Sequence, residues 1–331
     1  EEWALPPAHA AEIAKLKSHV GPDAERFAPF IRGSHWKQFF VRYPEANRAH
    51  KKMLALRGLL RRGKRWQQAW QDLYAAQCND AYWHGWFGGV YLPILRHQTW
   101  SRLARVERAV RRRHPLQTEH TDVDLDGLPE VWVHAASFSA QVQPHRGGTL
   151  VEWTDLRREI NVLNVLTRRQ EWYHAKLRDA DFVTERPGDS HPAPDRHEAL
   201  AYDVWDRGSF RDRFLDGPPS AQAFAHRALL ELGDFAEAPY EADIRPNGVT
   251  LSRTGTVRTP AGVRSVKIRK SLRFDIRGRL TATYHITPTD GEPFDAHFAV
   301  ELNFFLPGLV AGQGTIRIGR HSLGPRVPGS A

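Results

Sequence analysis

The residues best suited to chemistry lie between residues 77 and 96, where aromatic, acidic and imidazole side chains alternate with glycine. Five aromatic residues cluster in the middle of this segment, and Asn79, Asp80 and His84 are interleaved with them. An aromatic face can lie against the apolar C–H side of a pyranose while polar groups bind its hydroxyls. The segment therefore suits a sugar-binding surface. Simple packing of the same aromatic residues where two helices meet explains it about equally well.

A second group with chemical potential consists of Asp122, Asp124 and Asp126, which alternate ahead of a glycine as in the first half of a calcium-binding loop. Oxygen ligands at every second position can surround a hard cation, and the glycine permits a sharp turn. The bidentate glutamate of such a loop would fall at Val133, whereas Glu130 stands three residues earlier. Two hypotheses stay open, a Ca²⁺ site and a plain Asp-Gly turn.

A third group is basic. Seven arginines lie between residues 96 and 113, with Glu107 as the one acidic residue among them. Clustered arginines can neutralise phosphates, which suggests nucleic-acid binding. However, Leu103, Val106 and Val110 mark an apolar face, so a helix with a solvated basic face is the favoured interpretation. We therefore expect no nucleic-acid partner.

The elements that must position these groups fall into two parts. Apolar residues recur at three- and four-residue spacing from residue 8 to about 113, which predicts a bundle of three or four helices. After Pro115, period-two alternation over 130–134, 264–268 and 280–286 predicts short antiparallel strands and a β-sandwich. Residues 183–220, rich in Pro, Asp, His and Arg, are predicted to form a long loop.

The predicted fold class is thus α+β, with a helical domain over residues 1–115 and a β-sandwich over residues 116–331. The last residues, 308–331, are rich in Gly, Pro and Arg, which leaves open whether the sandwich is complete.

Composition narrows the class of protein further. The chain has 331 residues, 47 Lys and Arg against 38 Asp and Glu, and a formal charge of +9. With 41% hydrophobic residues and no long apolar run, neither a disordered nor a membrane-spanning protein is expected. A single cysteine, Cys78, excludes an intramolecular disulfide framework and favours a cytoplasmic location. Because the first residue is Glu1 and the one methionine is internal, we expect a piece of a longer or processed protein.

Residues 77–85 read Gln-Cys-Asn-Asp-Ala-Tyr-Trp-His-Gly, and this string resembles the last conserved region of glycoside hydrolase family 57. The resemblance is to the α-amylase and 4-α-glucanotransferase branch, and it covers residues 1 to about 305. Further segments that carry it are residues 30–39, 43–54, 122–131, 164–174 and 209–214. It implies a central helical region followed by a galactose-mutarotase-like β-sandwich.

The resemblance also implies an activity and a set of site residues. Family members act on α-1,4-glucans and retain the anomeric configuration by means of two carboxylates on an N-terminal barrel. Nothing in this chain matches the barrel motifs, so the resemblance implies no catalytic residue here. It implies substrate contacts from Asp80, Trp83 and His84, and less directly from Asn79 and Trp36. No cofactor is required by this chemistry.

The sequence therefore predicts the C-terminal portion of an α-glucan-acting glycoside hydrolase or transglycosylase, bound to a maltooligosaccharide and to a catalytic barrel of the same polypeptide. Alone it should be inactive. Two alternatives stay open: a non-catalytic carbohydrate-binding protein and, less favoured, a basic nucleic-acid-binding protein.

Overall fold

The first half of the molecule is helical. The computed structural model describes residues 5–31, 35–84, 88–174, 201–226, 228–291 and 293–307, together with the backbone of 316–318 and 321–323. The α-helices are α1 (Pro7–Val20), α2 (Ala24–Phe27), α3 (Trp36–Arg42), α4 (Pro44–Leu59), α5 (Gln67–Ala75), α6 (Pro93–Val110) and α7 (Ala221–Ala225).

Proline starts the two longest core helices. Pro44 and Pro93 occupy the first positions of α4 and α6, where a missing backbone N–H costs nothing. Met53 and Leu56 of α4 pack with Leu103 of α6 in one apolar core. The predicted helical bundle is confirmed.

The second half is built from antiparallel sheets. The strands are β1 (Gln117–Thr121), β2 (Glu130–His134), β3 (Phe138–Gln143), β4 (Thr149–Asp155), β5 (Ile160–Asn161), β6 (Arg211–Leu215), β7 (Glu241–Arg245), β8 (Gly248–Thr259), β9 (Gly262–Phe274), β10 (Leu280–Pro288), β11 (His297–Glu301), β12 (Ile316–Ile318) and β13 (His321–Leu323). One sheet has the order β1-β2-β3-β4-β5 and another β10-β9-β8-β7, while β11 pairs with β6 and β12 with β13.

The five-stranded sheet is covered on both faces. Val131 and Val133 of β2 share a core with Leu251 of β8 and Ile268 of β9, which makes the two large sheets a sandwich. The alternate residues of β2 and β3 are also buried, although many are polar. They face the helices, so the molecule has three layers: helices, first sheet, second sheet. The predicted α+β class, with helices followed by an antiparallel sandwich, is confirmed.

A buried charged cluster joins the helices to the first sheet. The Lys52 ammonium of α4 lies 2.7 Å from Glu107 Oε2 of α6 and is also paired with Glu152 of β4. It donates to Ser139 Oγ of β3 at 3.1 Å. Arg111 Nε pairs with the other oxygen of Glu107 at 2.9 Å. We call Lys52, Glu107, Arg111 and Glu152 the junction cluster; its side chains are at most 3% exposed.

Two predictions for charged segments were wrong in part. Residues 211–215 form strand β6 inside the supposed loop 183–220, and this strand is buried along its whole length. Residues 175–200, which include the first part of that loop, lie outside the described residues. On α6 the basic face is not simply solvated, because Arg96 is only 8% exposed and donates to the Val90 carbonyl oxygen at 2.5 Å.

Three further arginines of the basic helix have acidic partners, while Arg112 and Arg113 are exposed. Arg102 pairs with Asp72 at 2.7 Å, and Arg105 and Arg108 pair with Glu159 at 2.6 and 3.0 Å. These pairs satisfy the guanidinium groups that a phosphate backbone would otherwise contact. Among the described residues, none of the helices combines the length and apolar character needed to cross a membrane.

Candidate functional site

Within the aromatic segment, residues 79–84 and 88–91 form a tight double turn between α5 and α6, while residues 85–87 lie outside the described residues. Short 3₁₀ helices span Asn79–Tyr82 and Gly89–Tyr91, on either side of Trp83. The backbone N–H of Val90 donates to the carbonyl oxygen of Trp83 at 2.8 Å. Gly89 has φ 55°, and a Cβ there would collide with the same carbonyl oxygen. The two halves of the turn can approach this closely only because residue 89 is glycine.

Three of the predicted substrate residues reach the surface of this turn. Asn79 is exposed, and Asp80 and Trp83 are half-buried. The Cys78 thiol lies 3.5 Å from Asp80 Oδ2. The indole N–H of Trp83 is buried and has no hydrogen-bond partner among the residues that the structure describes. The turn therefore presents a carboxylate and an aromatic ring three positions apart.

His84, by contrast, lies beneath the surface. It is 6% exposed, and its Nδ1 lies 3.2 Å from the carbonyl oxygen of Gly88. Its ring lies 4.7 Å from that of Tyr91, centroid to centroid. Burial lowers the pKa of His84, so its imidazole is neutral near pH 7. The structure thus places it as a support of the turn, behind Asp80 and Trp83.

Trp36 is brought to the same region by ring contacts. It is 46% exposed, and its ring lies 4.8 Å from Phe40 and 5.7 Å from His50. His50 in turn lies 5.8 Å from Tyr82. Burial and the adjacent Lys51 lower the pKa of His50 to about 4, so the neutral ring packs as an aromatic group. A continuous aromatic path therefore joins Trp36 to the residue before Trp83.

A buried carboxylate, which the sequence did not single out, holds the turn from below. Glu171 is 1% exposed, and its Oε1 accepts from the hydroxyls of Tyr43 and Tyr91, each at 2.6 Å. Its Oε2 pairs with Arg42 at 2.7 Å. Burial raises the pKa of both tyrosines, followed by Glu171 at Tyr43 and by Tyr43 and then Glu171 at Tyr91, so both remain donors. The end of the turn at Tyr91 is thereby fixed to the β half of the chain.

An open cleft lies beside the turn on the helical face. It has a volume of about 770 Å³ and is lined by Trp70, Tyr74 and Gln77, among others. The rings of Trp70 and Tyr74 lie 5.7 Å apart, and Tyr74 is 62% exposed. Gln77 precedes the turn in the sequence by two residues, and Arg57, Arg62 and Lys64 also line the cleft.

The three predicted metal-ligating aspartates lie together in the loop before β2. One carboxylate oxygen from each of Asp122, Asp124 and Asp126 lies within 4.8 Å of the others. Asp122 accepts backbone N–H groups from Asp126 at 3.1 Å and Gly127 at 3.0 Å, which closes the loop. Asp124 is 5% exposed and accepts from Gln143 Nε2 at 3.1 Å. Burial and then Asp126 raise the pKa of Asp124 to about 6.

Glu130 lies next to this loop, whereas the spacing of a calcium-binding loop predicts the glutamate ligand at position 133. Val133 is apolar and lies in the sandwich core, so it offers no ligand. Glu130 is fully buried and its Oε2 accepts from Val123 N at 2.8 Å. Glu130 also forms a group with Asp126 and His145, one potential ligand atom of each lying within 4.8 Å of the others. His145 comes from the β3–β4 turn, and no spacing signal links it to the loop. Burial and then Asp124 raise the pKa of Glu130 to about 8.

Comparison with known proteins identifies the family. A protein-family model described as alpha-amylase/4-alpha-glucanotransferase, C-terminal, matches residues 122–326 of this sequence. The family model described as alpha-amylase/4-alpha-glucanotransferase, middle domain, matches residues 34–110. The chain belongs to the alpha-amylase/4-alpha-glucanotransferase family. The family resemblance read from the sequence is thereby confirmed.

Individual relatives agree with this assignment. An alpha-amylase of Pyrococcus abyssi is 35% identical over 312 residues, which cover 91% of this chain and 45% of the relative. A 4-alpha-glucanotransferase of Thermococcus litoralis is 33% identical over 313 residues, covering 91% and 46%. A crystal structure of the T. litoralis 4-alpha-glucanotransferase matches with a TM-score of 0.78 at 33% identity, covering 92% of this chain and 44% of that one. The chain thus spans less than half the length of these relatives.

Proposed function

We propose that this chain forms the glucan-binding, C-terminal part of an α-glucan-acting retaining enzyme, a 4-α-glucanotransferase or α-amylase. The observation that carries the proposal is the double turn formed by residues 79–84 and 88–91, in which Asp80 and Trp83 are both half-buried and therefore partly accessible. The confirmed family supplies the substrate class, since the matched relatives are alpha-amylases and 4-alpha-glucanotransferases. Asn79 and Trp36 extend the proposed surface.

Each group at the turn would contribute a different contact. The Trp83 ring would lie against the C–H face of a glucose unit, and the Asp80 carboxylate would accept from its hydroxyls. Glu171 accepts a hydrogen bond from Tyr91, and His84 lies against the Gly88 carbonyl oxygen. These contacts would hold the backbone that carries Asp80 and Trp83 in place before a sugar binds. Preorganisation lowers the entropy lost when the sugar binds. His84 would act as a positioning residue.

The cleft lined by Trp70 and Tyr74 would continue this surface for a longer glucan. Two aromatic rings 5.7 Å apart, with Gln77 at the edge, offer the same combination of stacking and hydrogen bonding as the turn. The substrate would therefore be a maltooligosaccharide of several units.

The bond-breaking chemistry would lie in another region of the same polypeptide. A retaining mechanism needs a nucleophilic carboxylate and an acid/base carboxylate about 5–5.5 Å apart. In the proposal these two groups belong to a catalytic barrel ahead of Glu1, and neither a redox nor a nucleotide cofactor takes part. The chain by itself would bind glucan without cleaving it.

Titration of the purified chain with maltoheptaose tests the binding role. We expect Trp83→Ala to weaken binding about tenfold, which corresponds to the roughly 1.4 kcal/mol expected from a lost stacking contact. Asp80→Asn should have a similar effect, because a hydrogen bond to a charged group is worth about 1.5–3 kcal/mol. Asp23→Asn, a change at an exposed aspartate of the helical half, serves as the control and should bind normally.

The same titration separates the alternatives. Equal binding by all variants would exclude the turn as the sugar site. Cleavage of maltoheptaose by the chain alone would show that its catalytic groups are not upstream. A gene that lacks any barrel upstream of Glu1, combined with normal sugar binding, would favour the stand-alone carbohydrate-binding protein. Steeply salt-dependent DNA binding without a sugar response would favour the nucleic-acid alternative.

We further propose a cytoplasmic location. The one cysteine, Cys78, is a free and exposed thiol, which suits a reducing compartment. Cell fractionation followed by detection of the chain tests this, and recovery from an oxidising compartment would contradict it.

A further inference from the structure

We propose that Asp122, Asp124, Asp126 and Glu130 bind one calcium ion at the start of strand β2. Two overlapping groups of potential ligand atoms share Asp126, and within each group the atoms lie within 4.8 Å of one another. Carboxylate oxygens are the ligands that Ca²⁺ prefers, and a site of this size can hold one ion with backbone or water oxygens completing its shell.

Two buried carboxylate oxygens point independently to a ligand. Glu130 is fully buried and Asp124 is 5% exposed. Glu130 Oε1 and Asp124 Oδ1 are inaccessible and have no hydrogen-bond partner among the described residues. Glu130 Oε1 faces the cluster, at 3.9 Å from His145 Nε2, beyond hydrogen-bonding distance. Burying a carboxylate oxygen without a partner is costly. A cation that prefers oxygen ligands, bound between these carboxylates, would provide that partner.

The charge of the loop supports the same conclusion. Four carboxylates face one imidazole, His145, whose Nε2 lies 3.5 Å from Asp126 Oδ2. Arg48 and Lys51 on α4 add positive charge that acts on Asp124. A divalent cation placed among the four carboxylates would neutralise the excess within the loop itself.

The ligand chemistry favours calcium over zinc. Four of the five groups offer oxygen, and only His145 offers nitrogen, whereas zinc sites are dominated by imidazole and thiolate. In this proposal His145 borders the site and does not bind the metal. A calcium ion with four carboxylates in a loop of this kind is expected to bind with a Kd on the order of 10 µM.

The ion would fix three elements to one another. Asn47 of α4 donates to the Asp124 carbonyl oxygen at 2.7 Å, and Gln143 at the end of β3 donates to the Asp124 carboxylate. Glu130 begins β2. A cation bound here would thus stabilise the contact of the helical bundle with the first sheet.

Calorimetric titration of the EDTA-dialysed full chain with CaCl₂ tests the proposal. We expect one ion per chain and a rise in the unfolding temperature on the order of 5 °C when calcium exceeds its Kd about a hundredfold. No heat of binding and no thermal shift at 5 mM CaCl₂ would overturn the proposal.

Glu130→Gln is the decisive variant, because it keeps the shape of the side chain and removes its charge. We expect at least tenfold weaker calcium binding and loss of the thermal shift. In EDTA the variant should unfold at about the same temperature as the wild type, since the amide fills the same space and its oxygen can still accept from the Val123 N–H. A variant that is equally destabilised in EDTA and in calcium would mean a purely structural role for Glu130. Glu241→Gln, at an exposed strand position, is the matched control.

His145→Ala distinguishes calcium from zinc. Calcium binding should change less than about threefold if His145 only borders the site. If ZnCl₂ binds more tightly than CaCl₂ and His145→Ala abolishes that binding, the site is a zinc site and the calcium assignment is wrong.

Discussion

The junction cluster and the acidic loop before β2 bury carboxylates in opposite ways. In the junction cluster, Glu107 and Glu152 face Lys52 and Arg111, so two negative charges meet two positive ones. In the acidic loop four carboxylates face a single imidazole. The first region is balanced by its own cations, whereas the second holds more carboxylates than cations even with Arg48 and Lys51 nearby, and the proposed calcium ion would neutralise this excess. Both regions bury a fully inaccessible glutamate, so the ratio of charges distinguishes the junction cluster from the proposed calcium site.

The pKa directions of Glu107 and Glu130 show the same contrast, although at Glu152 of the junction cluster burial outweighs Lys52 and raises the pKa. In the junction cluster, burial alone would raise the pKa of Glu107, but Lys52 and Arg111 outweigh it and lower that pKa. In the acidic loop, burial and the neighbouring Asp124 act together to raise the pKa of Glu130 to about 8. Equal burial thus has opposite consequences, because the neighbours differ in sign.

The largest expected loss of stability comes from removing a cation from the junction cluster, which leaves its carboxylates in excess as they are in the acidic loop. Lys52→Met removes the cation between two buried glutamates and should destabilise the chain by about 3–5 kcal/mol. Chemical denaturation with a two-state fit measures this. The double variant Lys52→Met with Glu152→Gln should regain at least half of the loss, because Glu107 keeps Arg111. A single variant as stable as the wild type would show that the cluster contributes nothing.

A smaller effect is expected at Glu45 of α4, a second buried carboxylate with cationic neighbours. Burial would raise its pKa, but Arg169 and Arg48 lower it to about 2. Because the folded pKa is below the unfolded value, the charge stabilises the fold above about pH 4.5, and this stability is lost as the pH falls toward 2. The contribution is on the order of 2–3 kcal/mol. Denaturation curves from pH 6 to 2.5 should therefore fall more steeply for the wild type than for Glu45→Gln, and parallel curves would contradict this.

The smallest effect is expected where charges are exposed to solvent. Arg158 pairs with Asp155 at 2.8 Å, and the Arg158 side chain is 78% exposed. Arg158→Ala should change stability by about 0–0.5 kcal/mol, since water screens such pairs. A loss of stability above about 1 kcal/mol in the same denaturation assay would mean that exposed ion pairs contribute more than expected relative to the buried junction cluster.

The sequence allowed the architecture to be predicted because apolar periodicity reports directly on buried faces. The stripe through Leu103 and Val106 and the alternation through Val131 and Val133 each mark a real core. Strand β6 was not predicted from the sequence, because three consecutive charged residues, Arg211, Asp212 and Arg213, suggest a loop. Asp212 is nevertheless fully buried, held by Lys270 at 2.8 Å and by the Tyr240 hydroxyl at 2.6 Å. Partners distant in the chain made a charged strand compatible with burial.

The candidate site was predicted only in part, for the same reason. The sequence allowed Asp80 and Trp83 to be proposed because they stand together in one short string, and the three aspartates because they alternate. Glu171 and His145 were not, since each reaches its group from a distant part of the chain. Tyr91 and Glu171, for example, meet across a separation of 80 residues. Local spacing reveals groups that share a turn, and it does not reveal those that the tertiary fold assembles.

Helix α4 contacts the β half of the molecule along its first half, from Glu45 to Lys52. Glu45 accepts from Thr167, Asn47 donates to Asp124, and Lys52 pairs with Glu152. Although the helices and strands are consecutive in sequence, they therefore form a single cooperative unit that should melt in one transition. Recombination between relatives at the boundary near residue 115 would separate these partners, so a working chimaera must exchange α4 and the first sheet as one module.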